Sequence, residues 1–361
     1  MTIHNVKPVA VAKDEAPYLA DWVFHHLFFG FDKIEIYVNR TSDNSIEILE
    51  EIKKTHPNVD YHLADWIDFL PGDSRKHLQQ ICYMHSVSQS ADFKYVMFLD
   101  IDEFWLCSDF KTTINDFTRS MENKSFGSIY FEWFNEDAVD VAFSPILQTT
   151  RGKVDVLGKC LTRLPVSFKH VRLHVPKYEN ENAILLADES TFRSQGPGRR
   201  NQDVHASKSS LKDFFILHRM YRSNAEYLSS LYRGNPQLNF PIKLNRDGFG
   251  FPGHEKNVVE IKFPIDEYTV YQNKRDDFIV QNNLTKPIVE SQNRIAANAQ
   301  RLIDIIPECM AKKPNEVKNV LQRTNVVVSE KSEKKSLNKK MKSLRQVGTQ
   351  LWKSLKSGIS C

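Results

Sequence analysis

The chain has only five cysteines, Cys82, Cys107, Cys160, Cys309 and Cys361, and no two of them stand at CxxC spacing. Neither a disulfide framework nor a thiolate zinc site is therefore expected. No stretch reaches the roughly 18 unbroken apolar residues of a membrane-spanning helix. The opening MTIHNVKPVAVAKDEAPYL lacks a basic start followed by an apolar run, so the expectation is a cytoplasmic protein with reduced thiols. The phosphate-cradling GxxxxGK loop is missing, and so is any internal repeat. What is present is a chain of 361 residues, 41% hydrophobic and 11% aromatic, with material for one large core or two modest ones.

Charge is unevenly spread. The net +4 conceals residues 323–361, where ten Lys/Arg face only Glu330 and Glu333, a local +8 that leaves the rest of the chain at −4. A mildly acidic body argues against a nucleic-acid partner. Within the tail, Leu337, Met341, Leu344, Leu351 and Leu355 recur at helical intervals among lysines. Three readings stand: a basic amphipathic helix on a membrane surface, a coiled-coil seam, or a disordered basic tail.

Along the body, Val6–Ala12 reads as a strand, and Leu19, Trp22, Val23, His26 and Leu27 then share one helical face. KIEIYV (Lys33–Val38) reads as a second strand, followed by a helix with Ile46, Leu49 and Ile52 on one face. Asn58–Leu63 is a third strand, and Leu78, Ile81, Cys82 and His85 line a third helix. YVMFL (Tyr95–Leu99) is apolar throughout, as in a central parallel strand covered on both faces. This alternation predicts an α/β fold with a doubly wound, Rossmann-like mixed sheet whose ligands sit at the carboxyl ends of strands. Further on, the pattern predicts a helix at Ile114–Met121, strands at Gly127–Trp133, Val154–Arg163 and His170–His174, and a loop over Glu179–Ser209. Helix is predicted over Lys212–Leu231 and most of 265–322. The expected division is a catalytic domain over 1–264, a helical extension over 265–322 and the tail from 323.

The chemistry concentrates in FLDIDEF, Phe98–Phe104, where an apolar strand runs into Asp100, Asp102 and Glu103. On an extended chain, Asp100 and Asp102 point to the same side and can share a hard cation such as Mn²⁺ or Mg²⁺. A solvated acidic turn is the competing explanation. A metal-dependent phosphohydrolase or nucleotidyltransferase would also use paired aspartates, and a non-catalytic body docking through its tail would need none.

AVAKDEAPYLADWVFHHLFFGFDKIEIYVNRTSDNS (Ala10–Ser45) resembles the opening block of family 2-like bacterial glycosyltransferases, in a DxD-containing, family 92-like pattern. FLDIDEF is similar to their DxD block, and ILHRMYRSNAEYLSSLYRG (Ile216–Gly234) to their closing block. The resemblance implies a GT-A fold, an inverting sugar transfer from a nucleotide-sugar donor, most simply a UDP-sugar, and a glycan or lipid-linked acceptor in cell-surface polysaccharide or lipid-linked glycan synthesis. A cytoplasmic enzyme peripheral to the inner face of the membrane would suit such an acceptor.

Position by position, the resemblance implies that Lys13, Glu15, Asn39 and Asp43 line the nucleoside pocket. Asp100 faces ribose and metal, Asp102 is the principal metal ligand, and His218 is a second. Gln79 or Gln80 matches a glutamine preceding the DxD strand. A transfer with inversion also needs a general base, and YFEWFNED (Tyr130–Asp137) offers Glu132, Glu136 and Asp137, with Asp137 favoured and Trp133 and Phe134 able to stack on sugars. Lys159, Arg163, His174, Arg199 and Arg200 are candidate phosphate contacts.

Overall fold

The computed structural model describes residues 4–180, 183–234, 240–252 and 257–326. The amphipathic basic segment lies outside the described residues. The described chain falls into two compact units, one within Met1–Asp137, Phe143–Met220 and Glu255–Gln292, the other within Ala138–Ala142, Tyr221–His254 and Asn293–Cys361.

The first unit is built on one mixed sheet. Strands β1 (His4–Ala12), β2 (Ile34–Val38), β3 (Val59–Leu63) and β4 (Phe93–Phe98) run parallel in the order β3-β2-β1-β4. Three helices link them: α1 (Ala16–Phe28), α2 (Ser45–Thr55) and α3 (Leu78–Ser88). The sheet alternation divides them between two faces. Ala10, Ile36 and Val38 pack with Leu19, Trp22, Val23, Ile48, Leu49 and Ile52 of α1 and α2. Their neighbours Val9, Tyr37, Val96 and Phe98 pack with Cys82 and Tyr83 of α3. Helices thus cover both faces of the parallel half, which is why the central strand β4 is apolar from Tyr95 onward. Two helix faces differ in detail from the periodicity: Ile46 is exposed while Ile48 is buried, and His85 is exposed while Tyr83 is buried.

Beyond β4 the sheet becomes mixed. β5 (Glu103–Cys107), helix α4 (Ile114–Ser120), β6 (Ser128–Glu136), β7 (Thr149–Arg163), β8 (Ile184–Leu186), β9 (Phe214–His218) and β10 (Val259–Lys262) extend it as β4-β7-β6-β9-β5, with β10 on β7 and β8 on β6. β6 is parallel to β8 and β9, and the other pairs are antiparallel. His170 makes only an isolated bridge to Lys177, so the expected strand His170–His174 is absent. Phe214–His218 is a strand, not the start of a helix over Lys212–Leu231. The strand fills the slot between β6 and β5, and tertiary pairing overrides the local pattern. Helix α6 (Ile265–Gln281) belongs to this unit too, with Tyr271 and Phe278 against Phe24 of α1 at ring distances of 5.1 and 5.6 Å.

In the second unit, α5 (Asn224–Tyr232) opens with a capping box in which Ser223 and Glu226 satisfy each other's backbone N–H groups. Its Tyr227, Leu228 and Leu231 share a core with Leu302 and Ile306 of α7 (Thr285–Lys312) and Val317 of α8 (Pro314–Val320). Among the described residues no helix is long and apolar enough to cross a membrane.

Candidate active site at the carboxyl edge of the sheet

The parallel strands end along one edge, and three loops knit together there. Asp43 Oδ2 accepts the Ala16 N–H at 3.0 Å, satisfying a donor at the start of α1, while its Oδ1 holds the Ser45 N–H and hydroxyl at the start of α2. Asn39, buried, donates to the Ala64 carbonyl at 3.1 Å. Asp14 and Arg40 adopt left-handed backbone, with φ of 53° and 49°, so both loops turn sharply away from their strands. Lys13, Glu15, Asn39 and Asp43 are therefore gathered at one edge, with Asn39 and Asp43 engaged in holding its loops.

Between β4 and β5 the chain does not stay extended. The Glu103 N–H closes a turn on the Asp100 carbonyl at 3.0 Å, so the two aspartates are not presented as neighbours on one strand face. Trp22 braces the turn from below, its indole N–H shared by the Asp100 and Glu103 carbonyls, each at 3.0 Å. Asp100 Oδ1 accepts from Gln79 Nε2 at 2.8 Å, and Oδ2 from the Lys159 ammonium at 2.9 Å. Glu103 is fully buried; its Oε2 takes the Asp100 N–H at 2.8 Å and lies 3.2 Å from Lys159, while Oε1 has no partner among the described residues. Burial drives the Glu103 carboxyl well above the ordinary range, only partly countered by Lys159. Burial alone would lower the Lys159 ammonium, but the charge of Asp100 beside it outweighs burial and holds the group protonated. Lys159 is thus a buried internal cation rather than a solvent-facing phosphate contact.

Asp102 turns the other way, towards His218 on β9. The ladder continues through the Arg219 N–H to the Asp102 carbonyl at 2.8 Å, bringing Asp102 Oδ2 to 3.6 Å from His218 Nε2. The tautomer of His218 follows from its other neighbours. Asn135 Nδ2 donates to Asp155 Oδ2 at 2.7 Å, so Asn135 Oδ1 faces His218 Nδ1, 2.8 Å away. Nδ1 therefore carries the proton, and in the neutral ring Nε2 presents a lone pair towards a carboxylate oxygen. Two facing acceptors at that separation fit a cation held between them, with Asn135 and Asp155 orienting the imidazole from behind. Among the described residues no three His, Cys, Asp or Glu side chains form a ligand cluster. Asp102 and His218 would supply the protein's share of a Mn²⁺ or Mg²⁺ site, the pattern of a cation that keeps positions for water or phosphate oxygens.

Trp133 packs its ring on His218 at 4.2 Å and meets His174 edge-on at 5.0 Å. His174 donates Nδ1–H to the Gly158 carbonyl at 3.1 Å. Burial, reinforced by the Lys159 charge, holds its pKa down to about 4, so this imidazole is neutral near pH 7. Phe134, the other candidate stacking ring, is fully buried in the core.

Several sequence candidates are tied into the scaffold. Glu136 is buried, with Oε2 on Arg219 Nε at 2.8 Å and Oε1 on the Thr150 hydroxyl at 3.0 Å, so it is not placed to act as a base. Glu132 is buried in an ion pair with Lys212. Asp137 is half-buried just past β6. Arg163 lies towards the amino end of β4, opposite Tyr95, with its guanidinium 4.1 Å from the Phe126 ring centre, so packing and not phosphate explains it. Arg199 and Arg200 fall in the short 3₁₀ turn Gly198–Gln202, where Arg200 is exposed. The sequence reading missed Trp22 as the brace and Asn135 and Asp155 as the orienting pair; the one available signal was Asn135 two residues after Trp133, on the same side of β6.

Comparison with known proteins gives a family match that covers the parallel strands and the acidic turn. Residues 3–180, just under half of it, match the model of glycosyltransferase family 92. A glycosyltransferase family 92 protein of Arabidopsis thaliana is 28% identical over 103 residues, 28% of this chain and 16% of that protein. One of Ricinus communis is 26% identical over 93 residues, 26% of this chain and 14% of that protein. This chain therefore matches only a small part of the length of these relatives. The similarity falls on the family 92 side of the resemblance drawn from the sequence, and it supports a glycosyltransferase.

Proposed function

We propose that this protein is a metal-dependent glycosyltransferase of GT-A type. It moves a sugar with inversion from a nucleotide-sugar donor, a UDP-sugar, to a glycan or lipid-linked acceptor. The observation that carries the reading is the approach of Asp102 Oδ2 to His218 Nε2, 3.6 Å apart at the carboxyl edge of a parallel sheet. The family 92 match over residues 3–180 supports sugar transfer independently.

When bound, a divalent cation neutralises the charge that develops on a departing nucleoside diphosphate. The chain's own residues do the rest. Asp102 and oriented His218 hold the cation, and Lys13 and Glu15 on the first loop face the nucleoside. The half-buried Trp133 ring offers a flat surface for a sugar beside His218. Asp137 is the carboxylate assigned to take the proton from the attacking hydroxyl. A cytoplasmic location, with residues 337–355 drawing the enzyme to an anionic inner leaflet, belongs to the same reading. Sedimentation with anionic vesicles should fall when the chain is cut near Val328.

The test is a panel of nucleotide sugars offered with simple glycan acceptors, products being identified by mass spectrometry. Transfer from a UDP-sugar should require Mn²⁺ or Mg²⁺, stop on chelation and return when metal is restored. Transfer that survives full chelation would sink the metal assignment. Failure of every nucleotide sugar to raise the melting temperature would sink the donor assignment.

A further inference from the structure

An acidic turn that gathers carboxylates for a cation already contains one here. Lys159 reaches it from β7, with its side chain 1% exposed and its ammonium 2.9 Å from Asp100 Oδ2 and 3.2 Å from Glu103 Oε2. Its approach depends on Gly158, where a Cβ would meet the Phe131 carbonyl oxygen at 2.0 Å, so only glycine lets β7 press this closely on β6. The other oxygen of Asp100 accepts from Gln79. Each Asp100 oxygen therefore faces a donor, whereas Asp102 Oδ2 lies 3.6 Å from the His218 imidazole. The two aspartates stand in different surroundings.

We infer that Lys159 is a positioning residue that keeps Asp100 off the divalent cation and confines metal binding to Asp102 and His218. The inference rests on the metal-dependent reading above. The Lys159 ammonium and a divalent ion compete for Asp100 Oδ2, and the ammonium also repels the ion at short range. Lys159 cannot readily swing aside, because its side chain is 1% exposed and its ammonium is held between Asp100 Oδ2 and Glu103 Oε2. The result is a cation site with few protein ligands and modest intrinsic affinity, which takes its metal most tightly when phosphate oxygens complete the shell.

The experiment titrates the full chain with Mn²⁺ alone, following free Mn²⁺ by electron paramagnetic resonance with no donor or acceptor present. Wild type is compared with Lys159→Met and with Lys159→Met/Glu103→Gln, the second replacing both buried partners so that no buried carboxyl is left facing a methionine. Both variants should bind Mn²⁺ at least about tenfold more tightly, since a repelling charge is gone and an Asp100 oxygen is released. Adding Asp100→Asn to the double variant should abolish the gain, and Lys159→Arg should keep wild-type affinity. Unchanged or weaker binding in the folded variants overturns the inference, as does a gain that persists with Asp100→Asn, or no Mn²⁺ binding by any form. A merely structural lysine would not produce a gain in affinity. Since no sugar enters this titration, a failed transfer assay beside intact Mn²⁺ binding would count against the proposed reaction alone.

Discussion

Two of the buried lysine–glutamate pairs on this sheet are finished differently. On β1 and β2, Lys7 pairs with Glu35, whose Oε1 also accepts from the Tyr37 hydroxyl at 2.6 Å and whose Oε2 accepts from Ser86 at 3.1 Å. Burial raises the Glu35 carboxyl, but His62, Lys7 and Tyr37 together hold it well below the carboxylate range. At the other pair burial wins, and Glu103 lies above that range with one oxygen unmatched. The first pair is chemically closed. The second is left incomplete beside a partly exposed aspartate, the condition of a site that receives something.

The contrast breaks most sharply at Asp102. Replacement by Asn should lower transfer by about 10²–10³-fold or more, because an amide coordinates a divalent ion poorly, while the melting temperature stays near wild type. Lys7→Met should do the reverse. Stranding Glu35 should cost about 3–5 kcal/mol in denaturant unfolding, with Mn²⁺ affinity in the folded fraction unchanged. If Asp102→Asn unfolds the chain, or Lys7→Met weakens metal binding, the distinction between closed and open pairs fails.

Two smaller effects sharpen it. His218→Ala should weaken Mn²⁺ binding without unfolding the chain. Asn135→Ala, which frees the His218 ring to rotate, should cost about tenfold in the same affinity; full affinity in that variant would show that the ring is held by Trp133 alone. The last effect is on acid stability. The pKa of His174 is lowered from 6.5 to about 4 in the folded chain, so between those values the unfolded chain binds a proton that the folded one refuses. Stability attributable to His174 is therefore present above pH 6.5 and lost as pH falls towards 4. His174→Asn should flatten the fall in melting temperature across that window, by the equivalent of about 1–2 kcal/mol. Glu35 acts lower: its contribution is complete above about pH 4.3 and fades only as the pH drops through its depressed value.

Much of the parallel half was legible in the sequence because two periods alternate there, strand runs such as Val6–Ala12 and helical stripes such as Leu19–Trp22–Val23. The DxD segment announced itself because three acidic residues follow an apolar strand. Its shape did not. Whether Asp100–Glu103 stays extended or turns depends on the Trp22 indole, far away in the chain, and no spacing encodes that. FFILH was misread because a short apolar run fits helix or strand equally, and pairing with β5 and β6 decided it. His218 could be picked out by resemblance, but the Asp155–Asn135 relay that fixes its tautomer joins three strands and has no local signature. Glu136 shows the opposite failure, since a carboxylate near the right place proved to be the anchor of Arg219.

The indole of Trp22 also bears on any attempt to rebuild this protein from parts. Its single N–H is divided between two carbonyls of the acidic turn, so the curvature of that turn is stored in the first helix. A chimera grafting residues 98–107 onto a related scaffold would import the carboxylates without the template that bends them. Transplanting residues 16–28 together with 98–107 should carry the bend across, but a working turn would also need Gln79, Lys159 and His218.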